Sequence, residues 1–271
     1  MPAPAPDILH AAAGYQPLMR RIGLDAEAVF EHPDITPWRT IADRQNCTLD
    51  FEGEDGRPVR WHVKRYTAVR GRAKTPAEQE VAGIRLLQDA GIPTVPLVGW
   101  GVLADRRSFV IVDDLAGYRP GDKVLPAGAA TFEQLLEPTA DLAARLHVSA
   151  GLHHRDLYLC HFFVNTADPA DLRLIDCARV KKLPARLTRA RWVVKDLSQF
   201  WYSTYKHPEI TDAQRDAWLR RYAARAGVAN YDRLRRRVQR KVDWIARHDA
   251  RLNRAQPNRN ISIPAAGPRG A

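Results

Sequence analysis

The run Leu152-His153-His154-Arg155-Asp156-Leu157-Tyr158-Leu159-Cys160-His161-Phe162-Phe163 sets a His-Arg-Asp triplet in an apolar surround, and Leu174-Ile175-Asp176 follows shortly after. Two carboxylates in this order meet the needs of phosphoryl transfer. One accepts or orients the proton of an acceptor hydroxyl, and the other holds the Mg²⁺ that offsets triphosphate charge. Asp156 is the candidate for the first role and Asp176 for the second.

Five residues after its aspartate, the catalytic loop of a kinase carries a second metal ligand, usually Asn. Here that position is His161. Its ring nitrogen serves either as a ligand or as a hydrogen-bond donor, imidazole suiting Mg²⁺ less well than oxygen does. Upstream, Pro58–Tyr66 reads as a strand after the turn signal Glu54-Asp55-Gly56. Alternation puts Val59, Trp61 and Val63 on one face and Arg60, His62 and Lys64 on the other. Lys64 is then placed to touch phosphates. A helix is predicted from Pro76, capped by Thr75 and ended by Ala90-Gly91, with Val81, Ile84 and Leu87 as its buried stripe. Glu80 borders that stripe and is the expected ion-pair partner of Lys64, with Glu78 as the second choice.

These segments together resemble the lipopolysaccharide kinase family, whose members phosphorylate heptose or Kdo sugars of the lipopolysaccharide inner core. The resemblance runs through residues 80–84, 91–94 and 108–115, the helix reaching Leu146-His147 and Gly151, the loop 154–162 with its histidine in place of asparagine, Ile175-Asp176 and 191–197. It spans roughly residues 40 to 225 and is most specific in the loop. It implies an α+β, two-lobed protein-kinase-like fold with a small β-rich N-lobe and a larger helical C-lobe. It implies ATP and Mg²⁺ as cofactors. In residues, it implies that Lys64 binds phosphate, Glu80 orients Lys64, Asp156 is catalytic, Asp176 holds the metal and His161 completes the metal or loop geometry. Asp196 braces the loop and Arg155 anchors it. Two features depart from protein kinases. No G-x-G-x-x-G precedes the Lys64 strand, and Asp176 is followed by Cys177-Ala178 rather than Phe-Gly. The stretch from Asp176 to Asp196 lacks an Ala-Pro-Glu signature, which disfavours a peptide acceptor.

The formal charge of +11 calls for an anionic partner. Part of it follows the second aspartate, at Arg179, Lys181, Lys182, Arg186, Arg189, Arg191 and Lys195, and part lies at Arg233, Arg235, Arg236, Arg237, Arg240 and Lys241 on a predicted helix. These clusters fit a lipopolysaccharide core glycolipid and peripheral contact with the anionic inner membrane, or else a plainly solvated helix face. No aromatic-interleaved basic motif points to nucleic acid. No window approaches the ~20 apolar residues of a membrane-spanning helix. Met1-Pro2-Ala3-Pro4-Ala5-Pro6 lacks the start and core of a secretory signal, so cytoplasmic residence is expected, peripheral on the inner membrane. Cys47, Cys160 and Cys177 form no C-x-x-C pair and no disulfide framework, and with His153, His154 and His161 they match no standard zinc spacing.

The expected organisation is an N-terminal appendage over 1–35, a kinase-like domain over 36–252 and a disordered tail over 253–271. Within the domain, the N-lobe covers about 36–116 and the C-lobe about 117–252. His147, Trp192, Phe200, Trp201 and Tyr205 are expected in the core, and the side chains of Asp113 and Asp114 are not required for function. The reading is thus a kinase for a heptose or Kdo hydroxyl of the inner core. The alternatives are a kinase-like enzyme for another envelope sugar, a small molecule or a protein tyrosine, and a nucleotide-binding pseudokinase.

Overall fold

The computed structural model describes residues 8–257, with Arg70 and Arg72 excepted. The proline-rich start and the tail positions Pro264 and Pro268 lie outside the described residues. The chain divides into two compact units, one holding residues up to Val81 and Val95–Asp114, the other Ala82–Thr94 and Leu115–Gln256.

The first unit is an antiparallel sheet. Its strands are β1 (Ile8–Ala11), β2 (Ile35–Ile41), β3 (Arg44–Glu52), β4 (Pro58–Tyr66), β5 (Leu97–Val102) and β6 (Ser108–Asp113), in the order β1-β5-β6-β4-β3-β2. The alternation expected for β4 holds, since Trp61 and Val63 are wholly buried while Arg60 is exposed and His62 and Lys64 half-buried. On the core face they meet Cys47, Leu49, Val98, Phe109 and Ile111. The hairpin ahead of this strand, between β2 and β3, is closed by Ala42-Asp43 alone, so the position where protein kinases carry a glycine-rich loop is a tight turn. The β2–β3 register slips between Pro37 and Arg39, as expected where a proline cannot donate to the ladder.

Residues 8–35, expected as an appendage, contribute to this unit. β1 pairs with β5, and Met19 from helix α1 (Gln16–Arg21) and Val29 from helix α2 (Ala28–Glu31) are buried in the sheet's core together with Leu24, Ala26 and Ile35. The segment mixes these apolar residues with many charges, which disguised its buried face.

Helix α3 (Pro76–Asp89) begins as expected. Thr75 and Glu78 form a reciprocal cap, the Thr75 amide donating to Glu78 Oε2 at 2.7 Å and the Glu78 amide to Thr75 Oγ1 at 3.3 Å. It ends at Gly91, whose φ of 64° is a left-handed cap.

The second unit is mainly helical. β7 (Tyr118–Pro120) and α4 (Gly121–Val124) lead to α5 (Phe132–Ala144), which Thr131 and Gln134 cap reciprocally. One π turn, Arg145–Ser149, ends that helix. β8 (Leu152–His153), β9 (Phe162–Asn165), β10 (Leu172–Leu174) and β11 (Lys181–Lys182) form two small ladders, β10-β9-β7 and β11-β8. Helices α6 (Arg186–Ser203), α7 (Asp212–Arg225) and α8 (Tyr231–Ala255) complete the unit. α8 reaches two residues past Asn253, where the tail was expected to begin. The core of the unit runs through stacked rings: Phe200 lies on Trp218 at 4.1 Å between centroids, Phe162 meets Phe200 edge-on, and Trp218 Nε1 donates to Thr139 Oγ1 at 3.0 Å. Phe200 and Trp201 are buried as expected, whereas Tyr205 is 43% exposed.

Met19→Ala is expected to lower the unfolding free energy by about 2–4 kcal/mol, because it empties a filled core position. Urea denaturation measures this; a change below about 0.5 kcal/mol is the mark of a surface segment and would contradict the core role of residues 8–35.

Candidate active site

In the first unit the sheet presents Lys64 toward α3. Its Nζ donates to Glu80 Oε1 at 2.5 Å, and the Tyr66 hydroxyl donates to Glu80 Oε2. Glu80 is 3% exposed, so both its oxygens are satisfied within the protein. Burial, and next the Glu80 charge, push the Tyr66 phenol well above its usual range, which keeps it a donor. Glu78 is taken up by the cap of α3, so helix start and ion pair are divided between two glutamates of one turn. The neighbouring Asp114 accepts from or faces His62 Nε2 at 2.8 Å, and Asp113 accepts from the Tyr15 hydroxyl at 3.1 Å, so both carboxylates are engaged by partners.

In the second unit the loop from His154 to His161 is organised by Asp196 of α6. That carboxylate is fully buried and accepts the amides of His154 at 2.7 Å and Arg155 at 2.8 Å. His147 in the π turn stands 3.3 Å away through Nε2, while its Nδ1 meets Tyr222 at 2.9 Å. Burial opposes the charge of Asp196, but the His147 hydrogen bond and the neighbouring histidines and amides outweigh it and hold the carboxyl below its ordinary range. Arg155 adopts φ 71°, a left-handed backbone that costs energy in a non-glycine residue, and two further contacts hold it. Its guanidinium lies 4.6 Å over Trp192, and Lys195 Nζ donates to its carbonyl. β8 and β11 tie the loop's start to the segment after Asp176, pairing His153 with Lys181.

Asp176 is likewise left-handed, at φ 60°. The segment before it is held on several sides. His154 Nε2 meets the Ile175 carbonyl at 3.0 Å, and the Ile175 amide donates to His161 O at 3.1 Å. Thr94 Oγ1 donates to Leu174 O at 2.5 Å. Gly83 lies against the carbonyl of Cys177, where any Cβ would fall 1.9 Å from that oxygen, so glycine is required for the approach.

The Asp156 carboxylate is met by Arg179 Nη1, 3.1 Å from each oxygen, and by Gln199 Nε2, 3.3 Å from Oδ1. Lys195 is nearby, and burial pulls its ammonium down to about 8 against the attraction of Asp156. His161 donates through Nδ1 to the Asp156 carbonyl at 2.6 Å and turns Nε2 to Asp176 Oδ2 at 3.6 Å. Burial works against its charge, but the Cys160 sulfur, Asp176 and the Asp156 carbonyl push it up to about 9. Of the two roles open to His161, this geometry favours the donor. The described residues gather no group of three or more His, Cys, Asp or Glu side chains that would hold a metal by themselves. Asp176 offers oxygen donors, which suits a hard cation that takes most of its ligands from phosphates and water.

Each expected side chain thus finds its neighbours within its own unit: Lys64 with Glu80, and Asp156, His161, Asp176, Arg155 and Asp196 around one loop. In the sequence Arg179 and Lys195 stand out only as members of a basic strip, and Gln199 was not singled out. The spacing Asp196, Gln199 on one face of α6 was the signal for the last. His147 is a core histidine as expected, yet it also supports Asp196.

A sheet unit with a lysine paired to a buried glutamate and a helical unit with a braced His-Arg-Asp loop define a kinase-type phosphotransferase. Residues 59–222 match the lipopolysaccharide kinase (Kdo/WaaP) family, and the chain belongs to that family. It is 31% identical over 219 residues to the lipopolysaccharide core heptose(I) kinase WaaP of Escherichia coli (strain K12), covering 72% of this chain and 80% of that protein. It is 32% identical over 149 residues to the WaaP heptose(I) kinase of Pseudomonas aeruginosa, covering 48% of this chain and 54% of that one. Among solved structures, WbdD bound to a kinase inhibitor aligns with a TM-score of 0.47 and 16% identity, over 74% of this chain and 44% of that chain.

His153, buried against Trp192 with 4.9 Å between ring centroids, generates a pH prediction. Burial pulls it from 6.5 down to about 4, with Asp196 opposing and Arg155 assisting. Fully buried His154 is lowered too. Between these values the unfolded chain binds more protons than the folded one, so stability is lost as pH falls from 6.5 toward 4. Each histidine contributes a slope of up to about 1.4 kcal/mol per pH unit. Urea unfolding of His153→Asn across this window is expected to show a shallower slope than the parent; an unchanged slope contradicts the assignment.

Proposed function

We propose that this chain is an ATP- and Mg²⁺-dependent kinase that phosphorylates a heptose or Kdo hydroxyl of the lipopolysaccharide inner core, working at the cytoplasmic face of the inner membrane and in contact with its anionic surface. The observation that carries the reading is the loop around Asp156, braced by Asp196 and lodged in a chain of this family. The heptose(I) kinase activity by which the WaaP relatives are named supports the choice of acceptor.

In this reading Lys64, oriented by Glu80, binds the phosphates of ATP. Asp176 holds the cation, which when bound offsets the charge of the transferring phosphoryl group. Asp156 accepts the hydroxyl hydrogen bond and takes the proton as the oxygen attacks. Arg179 and Gln199 occupy one direction on Oδ2 and two on Oδ1, so Oδ2 retains a lone pair for the incoming hydroxyl. His161 ties the Asp156 carbonyl to the Asp176 side chain, so that the two carboxylates keep one spacing. Residues 177–185 separate Asp176 from α6, leaving no long peptide-binding segment, and the exposed Lys181 and Lys182 within them suit a phosphorylated glycolipid. No described helix is long and apolar enough to cross a membrane, which fits a peripheral contact.

The test is Mg²⁺-dependent transfer of labelled γ-phosphate from ATP to purified, dephosphorylated lipopolysaccharide core. The parent is expected to label the core and Asp156→Ala to lose at least about 10²-fold in rate, the lower range for a lost proton acceptor. Full transfer by a folded Asp156→Ala protein would overturn the reading.

A further inference from the structure

α8 turns by about 100° per residue, so Arg233, Arg236, Arg240, Arg247, Arg251 and Arg254 fall within roughly 80° of Trp244 on one arc. All six are exposed, and Trp244, midway along their length and at the edge of their arc, is 48% exposed. The opposite side of the helix carries the buried Val238 and Val242. The arc spans about 32 Å from Arg233 to Arg254 at 1.5 Å per residue.

Several arginines elsewhere in the unit are ion-paired. Arg221 and Arg225 pair with Asp141, and Arg235, which points away from the arc, pairs with Asp216 at 2.6 Å. None of the six has a carboxylate within ion-pair distance among the described residues. Asp243, at the margin of the arc, accepts from Gln239 at 3.0 Å. Trp244 is held by two neighbours: Lys241 Nζ lies 3.5 Å over its ring, and His248 stacks on it at 4.9 Å. A solvated helix face has no need of an exposed indole beside its arginines. A row of guanidinium groups without carboxylate partners beside one amphipathic ring fits the headgroup level of a bilayer, where Trp is favoured and basic residues meet anionic lipid.

We infer that this arc of α8 is a docking surface for an anionic lipid bilayer. It goes beyond the phosphotransfer chemistry and rests on the membrane contact of the proposed function; it touches none of the residues given a role there. Single aromatic placement also separates it from nucleic-acid surfaces, which interleave aromatic and basic residues.

The experiment is co-sedimentation of the full chain with phosphatidylcholine vesicles, with and without phosphatidylglycerol, all free of lipopolysaccharide. Capture is expected only with phosphatidylglycerol and is expected to weaken with salt. Replacing two arginines, as R240Q/R247Q, is expected to lower partitioning about 30-fold, from the contribution of each basic residue near such a surface. Trp244→Ala is expected to remove the binding that survives high salt. Both variants are expected to keep phosphotransfer to detergent-dispersed core. Equal capture by neutral vesicles, parent-like binding by R240Q/R247Q, or tighter binding of duplex DNA than of vesicles would each overturn the inference. Intact phosphotransfer alongside absent vesicle binding would do so while leaving the kinase reading standing.

Discussion

A carboxylate buried without water must find its donors in the protein, and Asp196 finds them in the backbone it organises. The amides of His154 and Arg155 both end on it, with His147 behind. This fixes the backbone just ahead of Asp156 and supports the left-handed conformation of Arg155, which no local preference would maintain. The remaining contacts of the loop follow from that anchor. The Arg155 guanidinium comes to lie on Trp192, Lys195 reaches the Arg155 carbonyl, and His161 reaches that of Asp156. An interaction of this kind is lost when the carboxyl is protonated, so its stabilising effect is present above the ordinary carboxylate range and fades as pH drops through the lowered value.

The second aspartate is positioned by different means. Asp176 depends on close backbone approach, with Gly83 flush against Cys177 and Thr94 bonded to Leu174. Both Gly83 and Thr94 belong to the Ala82–Thr94 stretch, which runs through the later turns of α3. The first turn of that helix carries the Thr75–Glu78 cap, and Glu80 follows with Lys64 and Tyr66. One helix therefore carries the partner of Lys64 near its start and the close approach to Cys177 further along.

Much of this was legible in the sequence because the physics is local. The Pro58–Tyr66 alternation set which face Lys64 takes, and Thr75, Pro76 and Gly91 set the limits of α3. The choice between Glu80 and Glu78 became decisive only when Glu78 was seen in the cap, though the Thr-x-x-Glu spacing already carried that signal. What was not legible depended on long-range pairing. The core role of Met19 and Val29 follows from β1 joining β5 across most of the sheet unit's sequence. Arg179 and Gln199 meet Asp156 from separate segments, and only Gln199 has a local signal, its spacing from Asp196 on α6. His161 could be read as ligand or donor until the Asp156 carbonyl was found on its Nδ1.

The measurement that bears most directly on the account is steady-state phosphotransfer by Asp196→Asn, with ATP affinity and folded signal determined on the same protein. If Asp196 acts by positioning the Asp156 loop, kcat falls about 100-fold, the scale of a displacement of about 1 Å at the reacting groups, while ATP affinity is retained. Parent-like kcat in Asp196→Asn would show that the loop holds its geometry without the charged brace, and the central claim would fail.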